Sequence, residues 1–409
     1  MTPAAPRSAS GDRLAVAAFE PWLAGSHERF LVQWSSRSRC DVTLLGLPAR
    51  DWKWRMRAAA YELAQRVSAV DMQAPDVIVA SDYVDLASLY GWLPPSWSRV
   101  PSAIYFHENQ LTYPLRPGVE PNERDLHFAF TNVASIARAT NVAFNSRFHR
   151  GEVARAGDEL LARLPRSSLR DAFRERIEAS DVIAPGIDRD EIALGPGHER
   201  GAPLRVLFNH RWEHDKDPAA FLAAARAAIG RGAKLELVLL GERFGEIPAG
   251  TDELLRDLAR VIASDGFARD RAAYAAALAR CDVAVSTARH EFFGLAIAEA
   301  MAAGCTPLVP RALSYPELVP PELARECTYS QPPASAPGSF HAEPSELVDK
   351  LVAAAREPAI FRDPARRARL RAATEPFGAD ETARRMDALC TSCLSSSDVG
   401  AGEMPRPAR

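Results

Sequence analysis

Short apolar runs separated by amphipathic stretches recur along the whole chain, and their spacing predicts alternating strands and helices. The first run, residues 14–19, ends in Glu20-Pro21-Trp22 and leads to a loop that carries Gly25, Ser26 and His27. The pattern from Glu28 through Trp34 suits a helix, followed by a strand over 42–45 and a helix over 54–67. DVIVA at 76–80 and SAIYF at 102–106 are short and continuously apolar, as buried parallel strands are. Each feeds a polar loop and then a helical pattern. NVAF at 141–144 is another strand, and 147–179 is arginine-rich and largely helical.

A polar stretch bearing Gly and Pro, 189–203, follows Pro185-Gly186-Ile187-Asp188 and reads as a linker. The alternation then restarts. LRVLFN (204–209) leads to the loop HRWEHDKD (210–217) and a helix from Pro218, with Asp217 as its cap. LELVLLG (235–241) precedes a helix at 252–263; a helix at 270–280 precedes the strand DVAVS (282–286). The loop TARHEFF opens into a helix over 294–303 that Gly304 closes, before a last strand at 305–309. This order predicts an α/β protein of two Rossmann-like, doubly wound domains facing across a cleft. Their expected bounds are 12–187 for the amino-terminal domain, completed by a helix at 376–393, and 203–375 for the carboxyl-terminal one. Residues 394–409 have the composition of a disordered tail.

A length of 409 residues supports the division, since one core seldom serves so many. No apolar run approaches the ~20 residues that span a bilayer. The start, MTPAAPRSASGDR, lacks the apolar stretch of a signal peptide, so a cytoplasmic protein is expected. Six scattered cysteines fit reduced thiols; Cys390 and Cys393 form a CxxC that no second pair completes into a metal site. The net charge of −3 excludes a polycation, so a nucleic-acid partner needs a local basic patch. Lysine occurs only at 53, 216, 234 and 350.

No lysine follows a glycine, which removes the P-loop, and no GxGxxG joins a first strand to a helix. Phosphate chemistry points instead to His290-Glu291-Phe292-Phe293-Gly294-Leu295 and Glu299. Backbone N–H groups of Phe293, Gly294 and Leu295 at a helix start offer a seat for a diphosphate. Gly294 permits close approach, and Glu291 and Glu299 flank the seat. The plainer alternative makes Glu291 a charge favouring the helix dipole and Glu299 a solvated helix residue. Arg211 and Lys216 form a second group: fixed cations stabilise a departing diphosphate most in the transition state. Without them a metal would be needed, and no Asp-x-Asp pair is placed to hold one. They could equally be ordinary loop charges. A third group, His107-Glu108-Asn109-Gln110, crowds polar side chains where a buried strand reaches the cleft edge.

Glu291-x7-Glu299, the Arg211/Lys216 loop and Pro185–Asp188 resemble the retaining GT-B glycosyltransferases of family 4. Phe19-Glu20 with Gly25-Ser26-His27, WKWRMR at 52–57, HENQLTYP at 107–114, Glu123-Arg124-Asp125 and Phe144-Asn145-Ser146 resemble the tRNA-queuosine α-mannosyltransferase family. That resemblance spans roughly residues 13–390. It implies transfer of mannose from GDP-mannose to the cyclopentenediol of queuosine in an aspartate tRNA, with no cofactor and no metal. By position, Arg211 and Lys216 neutralise the diphosphate, Glu299 holds the ribose, Glu291 the sugar hydroxyls, and His107 sits by the sugar. Gly25 lets the first loop pass close to donor and acceptor. Ser26, His27, Lys53, Trp54, Arg55, Glu108 and Asn109 are the candidate acceptor contacts. The resemblance implies front-face attack with the donor phosphate as base, rather than a covalent carboxylate intermediate.

A tRNA partner asks for a basic track. Lys53, Arg55 and Arg57 among Trp52 and Trp54 offer cations with stacking surfaces. The run Arg147, Arg150, Arg155, Arg163, Arg166, Arg170, Arg174 and Arg176 is the other candidate, but Glu152, Asp158, Glu159, Asp171 and Glu175 interrupt it as in a solvated helix. Two other functions stay open: a family 4 transferase acting on a lipid, polysaccharide or small molecule, and a non-catalytic tRNA- or nucleotide-binding protein. The second has no need of Glu291, Glu299, Arg211, Lys216 and His107 together. Donor choice depends on loops such as 241–249 and 265–274.

Overall fold

The computed structural model describes residues 13–114, 125–165, 167–195, 201–243, 250–331 and 344–397. The first half runs β1 (Ala15–Leu23), α1 (Gly25–Arg37), β2 (Asp41–Pro48), α2 (Trp52–Ala69), β3 (Val77–Ser81), α3 (Leu86–Trp92), β4 (Ser102–Phe106), α4 (Leu126–Arg138), β5 (Asn141–Phe144), α5 (Arg147–Leu161), α6 (Ser168–Glu178) and β6 (Asp181–Val182). The second begins β7 (Leu204–Phe208), α7 (Pro218–Gly230), β8 (Leu235–Leu239), α8 (Thr251–Leu258), β9 (Ile262–Asp265), α9 (Arg271–Ala279) and β10 (Val283–Val285). It continues α10 (Leu295–Ala302), β11 (Thr306–Pro310), α11 (Tyr315–Leu318), α12 (Ala324–Cys327), β12 (Thr328–Tyr329), α13 (Ser345–Arg356), α14 (Pro358–Arg362), α15 (Pro364–Ala373) and α16 (Ala379–Ser397).

Two six-stranded sheets result, in the orders β2-β1-β3-β4-β5-β6 and β12-β11-β10-β7-β8-β9. Every paired neighbour is parallel. Strand order therefore reverses between β1 and β3 in one sheet and between β7 and β10 in the other. Connections leave such neighbours toward opposite faces, which opens a crevice at their carboxyl ends.

Parallel strands are buried on both faces. One face of the first sheet packs Phe19, Leu63, Trp97, Ile104 and Phe144 together. The other packs Val16, Trp34 and Tyr105 against Met386, Leu389, Cys390 and Cys393 of α16. Asp387 fastens that helix by accepting from Trp34 Nε1 at 3.0 Å and Ser38 Oγ at 2.6 Å. The chain passes between the halves in two adjacent stretches. Ile187 donates to the Phe377 carbonyl at 2.8 Å, and the Ile187 carbonyl accepts from Ala379 at 3.0 Å. All six cysteines are free and buried.

Three local readings change. Gly25, Ser26 and His27 form the first turn of α1 rather than a loop, with Gly25 at a φ of +57°. The helix expected over 252–263 ends at Leu258, and an edge strand, β9, follows. Its sequence, IASD, is polar and mostly exposed, so it carries no apolar signal. The arginine-rich stretch is largely helical as expected, in α5 and α6, whereas α16 continues through Ser397 into the expected tail. Residues 398–409 of the expected tail, 196–200 of the linker and 244–249 of the donor-facing loop lie outside the described residues, as do Glu123, Arg124 and Arg166.

Candidate active site

In the second sheet, the loop after β7 is laced to the loop after β10. The Asp215 carbonyl accepts from the N–H groups of Arg289 at 2.7 Å and His290 at 3.3 Å. Thr287 Oγ1 donates to the carbonyls of Lys216 at 3.0 Å and Asp217 at 2.8 Å, and Arg289 Nε lies 3.0 Å from Asp217 Oδ2. This lacing turns Lys216 inward, where it is only 8% exposed. Its Nζ donates to the His290 carbonyl at 2.8 Å and lies 3.2 Å from Glu291 Oε2 and 3.1 Å from Asp215 Oδ2. Burial works against the ammonium, but Glu291 and Asp215 outweigh it and raise its pKa. Burial likewise pushes Glu291 up, yet Lys216 and His210 draw it down to about 2. Burial and the Lys216 charge lower His210 and His290 to about 4, so both rings are neutral at physiological pH. Arg211 stands beside this group, half exposed and 3.3 Å from Glu213.

The start of α10 differs from expectation in two details. The Phe293 N–H reaches Glu291 Oε1 at 3.4 Å and so is partly engaged. Gly294 has a φ of +95°, and a Cβ there would meet Leu318 at 2.9 Å and Tyr315 at 3.0 Å. Glycine is therefore required by the turn and by protein packing. Leu295 begins the helix proper, in the first turn, where backbone N–H groups lack intrahelical partners. Glu299 is buried rather than solvated and receives Arg271 Nη2 at 2.7 Å. Arg271 also lies 3.0 Å from Glu191, and Asn209 steadies the neighbouring Tyr274 hydroxyl at 2.9 Å.

The first sheet gathers a second charged cluster at its own point of reversal. Glu20, at the end of β1, accepts from Ser81 Oγ at 3.1 Å and the Trp22 N–H at 2.8 Å, and lies 3.1 Å from His27 Nδ1. Burial opposes a charge on His27, but Glu20 overrides it and the imidazole pKa rises to about 9. The His27 ring stacks on His107 with centroids 4.1 Å apart. Burial and the His27 charge hold His107 well below its ordinary value, so His107 stays neutral. Asp82, after β3, is fully buried and accepts from the His107 N–H at 2.9 Å. Glu108 accepts from the Tyr83 hydroxyl and from Gln110 Nε2 at 3.3 Å. Among the described residues, Glu20, His27 and His107 bring ligand atoms within 4.8 Å of one another, close enough for a metal ion.

A continuous path joins the two clusters. The His107 carbonyl accepts from Asn145 Nδ2 at 2.8 Å, and Asn145 Oδ1 lies 2.8 Å from His149 Nδ1. His149 stacks on Phe292 at 3.9 Å, and Ser146 Oγ donates to the Phe292 carbonyl. Glu317 accepts from the N–H groups of Arg147 at 3.0 Å and Phe148 at 2.6 Å, capping α5 from the other half.

Of the residues expected at the acceptor, Ser26, Lys53 and Trp54 are exposed, Trp54 by 70%. Two are not placed to meet one. Arg55 folds inward, with Nε on the Pro48 carbonyl at 3.1 Å and Nη1 2.7 Å from Glu62. Asn109 is fully buried and shapes its own turn, accepting from Leu111 at 3.0 Å and Thr112 at 2.8 Å. The α5–α6 arginines are largely consumed by acids: Arg155 pairs with Glu152 and Glu159, and Arg170 and Arg174 both pair with Asp158. Asp82, Tyr83, Asp215, Arg271, Tyr274 and His149 were not anticipated. Asp82 had a readable signal, since it follows the apolar run VIVAS as His107 follows SAIYF.

Two parallel sheets whose carboxyl ends carry facing charged clusters form a GT-B fold, and the family models and curated relatives make the chain a glycosyltransferase. The fold is similar to that of HepE from Anabaena, crystallised with UDP and glucose, at a TM-score of 0.62, 17% identity and coverage of 92% of this chain and 100% of that one. It is also similar to sucrose-phosphate synthase from Thermosynechococcus elongatus, at a TM-score of 0.65, 15% identity and coverage of 94% and 100%. Residues 15–187 match the family model of the tRNA-queuosine alpha-mannosyltransferase N-terminal region, and 159–372 that of family 4 glycosyltransferases in conflict systems. The tRNA-queuosine alpha-mannosyltransferase of Drosophila melanogaster is 31% identical over 313 residues, covering 74% of this chain and 81% of the relative. The chain belongs to the tRNA-queuosine alpha-mannosyltransferase family. A GDP-mannose-dependent alpha-(1-6)-phosphatidylinositol dimannoside mannosyltransferase of Mycobacterium tuberculosis is 27% identical over 323 residues, covering 77% of this chain and 79% of the relative.

Proposed function

We propose that this glycosyltransferase moves mannose from GDP-mannose to queuosine in an aspartate tRNA, with retention of configuration, in the cytoplasm. The observation that carries the reading is the placement of Lys216 and Glu291 at the reversal point of the second sheet, joined through Phe292, His149 and Asn145 to His107 at that of the first.

Lys216 and Arg211 meet the charge that grows on the diphosphate as the glycosidic bond breaks, so no metal is required. Glu291 then exchanges part of its bond to Lys216 for the sugar hydroxyls, and Glu299 turns from Arg271 to the ribose. The N–H groups of Gly294 and Leu295 face the diphosphate. Neutral His107 accepts or donates a hydrogen bond at the sugar without adding charge. Gly25, exposed at the start of α1, leaves room for donor and acceptor together. The acceptor hydroxyl attacks from the face of the departing phosphate, whose oxygen takes the proton. On the tRNA side, exposed Trp54 beside Lys53 offers a stacking surface for an unpaired base. Ser26, His27 and Glu108 line the approach.

The mycobacterial relative's name favours a second reading, a lipid acceptor with the same donor. Among the described residues no helix is long and apolar enough to cross a membrane. Purified protein incubated with GDP-mannose and queuosine-bearing tRNA, followed by nucleoside mass spectrometry, decides between them. A hexose on queuosine, absent when the tRNA lacks queuosine, is the expected result. GDP release without tRNA labelling discards the tRNA.

A further inference from the structure

The cluster at the end of β1 and β3 gathers more carboxyl groups than its own cations match. Glu20, Asp82 and Glu108 converge there. The cationic His27 is engaged by Glu20 at 3.1 Å, and His107 is neutral. Tyr83, Tyr105 and Tyr113 are held un-ionised by burial, and burial keeps His149 neutral. Across the cleft Arg211 acts on Glu108 from a distance, but pairs with Glu213 at 3.3 Å. Asp82 and Glu108 are thus left facing each other without a dedicated cation. Asp82 is fully buried; its Oδ1 takes the N–H groups of His107 at 2.9 Å and Glu108 at 3.5 Å, while Oδ2 has no partner. Burial and the nearby Glu108 raise the Asp82 pKa well above the ordinary carboxylate range, so the unmatched oxygen keeps a proton until a cation takes its place. A ligand that brings N–H donors and positive charge supplies both missing terms.

We propose that Asp82 and Glu108 cradle a protonated amine of the acceptor. The inference rests on the acceptor reading above: queuosine carries a secondary amine on the ring that bears its two hydroxyls. Asp82 is covered in the free protein and Glu108 is partly exposed, so the ammonium enters from the Glu108 side, close to His107, whose N–H Asp82 already holds at 2.9 Å. The same seat gives discrimination. An unmodified guanosine brings no cation and leaves both carboxylates unmatched, the arrangement by which buried polar groups reject ligands lacking their partner.

Asp82→Asn keeps the size of the side chain and an oxygen for the His107 N–H while removing the charge. Its KM for queuosine-bearing tRNA is expected to rise about ten- to hundredfold, as loss of one charge-assisted hydrogen bond implies. GDP binding serves as the check on folding, and Glu108→Gln repeats the test if Asp82→Asn does not fold. A merely structural Asp82 leaves the pH profile unmoved, so the profile is the second readout. Wild-type KM for the tRNA climbs toward alkaline pH as the ligand amine loses its proton, and the slope flattens in Asp82→Asn. Loss of the His27 proton, and of the proton that burial and Glu108 favour on Asp82, makes the cluster more negative and acts in the opposite direction, so the climb belongs to the ligand. Wild-type KM with wild-type pH slope in both variants overturns the proposal. So does transfer that EDTA abolishes and zinc restores, since a metal on Glu20, His27 and His107 then balances the charge. Wild-type protein that leaves queuosine-bearing tRNA untouched removes the acceptor reading itself, and the amine with it.

Discussion

Replacing Lys216 by methionine separates two jobs that the structure gives to one ammonium. In the free protein Lys216 holds Glu291 at 3.2 Å and Asp215 at 3.1 Å, both in its buried surroundings. The fall of Glu291 from 4.5 to about 2 corresponds to roughly 3 kcal/mol in favour of the charged carboxylate, most of it owed to Lys216. Deleting one partner of a buried pair costs about 3–5 kcal/mol; with the Glu291 side chain 17% exposed, the lower end applies. Lys216→Met should therefore lower the stability of the second half by about 3 kcal/mol at neutral pH. Because the Glu291 pKa is depressed on folding, that stability is present above 4.5 and is lost as pH falls toward about 2. The gap between wild type and variant thus narrows over that window. Thermal and urea unfolding followed across pH measure it. Transfer, read as GDP release and nucleoside mass, should drop about 10²- to 10³-fold, the loss expected for one preorganised group at a developing charge. Lys216→Met with Glu291→Gln should regain part of the stability and none of the transfer. Unchanged stability, or transfer at close to the wild-type rate, refutes the reasoning.

Glu299→Gln releases Arg271 from its 2.7 Å partner and should weaken GDP binding about tenfold by calorimetry while KM for the tRNA stays put. Trp54→Ala should raise the KM for tRNA by about five- to a hundredfold, the range for one stacked base, and leave GDP affinity unchanged. His27 provides a pH test of opposite sign to Glu291. Its pKa rises to about 9 on folding, so its stabilisation is complete below 6.5 and fades as pH climbs toward 9. His27→Gln should accordingly flatten alkaline loss of stability in thermal melts, by at most roughly 3 kcal/mol.

Elements whose burial comes from their own residues were legible in advance. VIVAS and SAIYF are buried throughout, and LRVLF and LELVL apart from the paired Arg205 and Glu236, because parallel strands are covered on both faces; all four form strands. β9 was not, since an exposed edge strand needs no apolar side chains. Gly25 was expected in a loop, whereas its positive φ lets the chain turn out of β1 directly into α1. Lys216 and Glu291 were legible as chemistry but not as a pair, because 75 residues separate them and the lacing through Thr287 and Arg289 brings them together. Arg55 shows the converse. Its neighbours in WKWRMR made it look available, but the helix phase turns it toward Pro48 and Glu62. Asp82 was legible as a polar residue ending a buried strand, but its meeting with His107 and Glu20 was not, since that needs β1 and β4 on either side of β3.

The packing of α16 on the first sheet bears on how the protein is made. Ribosomes release the first sheet early, yet Val16, Trp34 and Tyr105 await Met386, Leu389, Cys390 and Cys393. Until residues 379–397 emerge, the nascent amino-terminal half carries an uncovered oily face. It is a natural client for a chaperone, while the second half, whose clusters draw on residues 187–370, has its core material complete before synthesis of α16 begins. Expressing the matched segment 15–187 by itself should therefore yield a sticky, incomplete product, and supplying the helix as a separate peptide should restore its solubility.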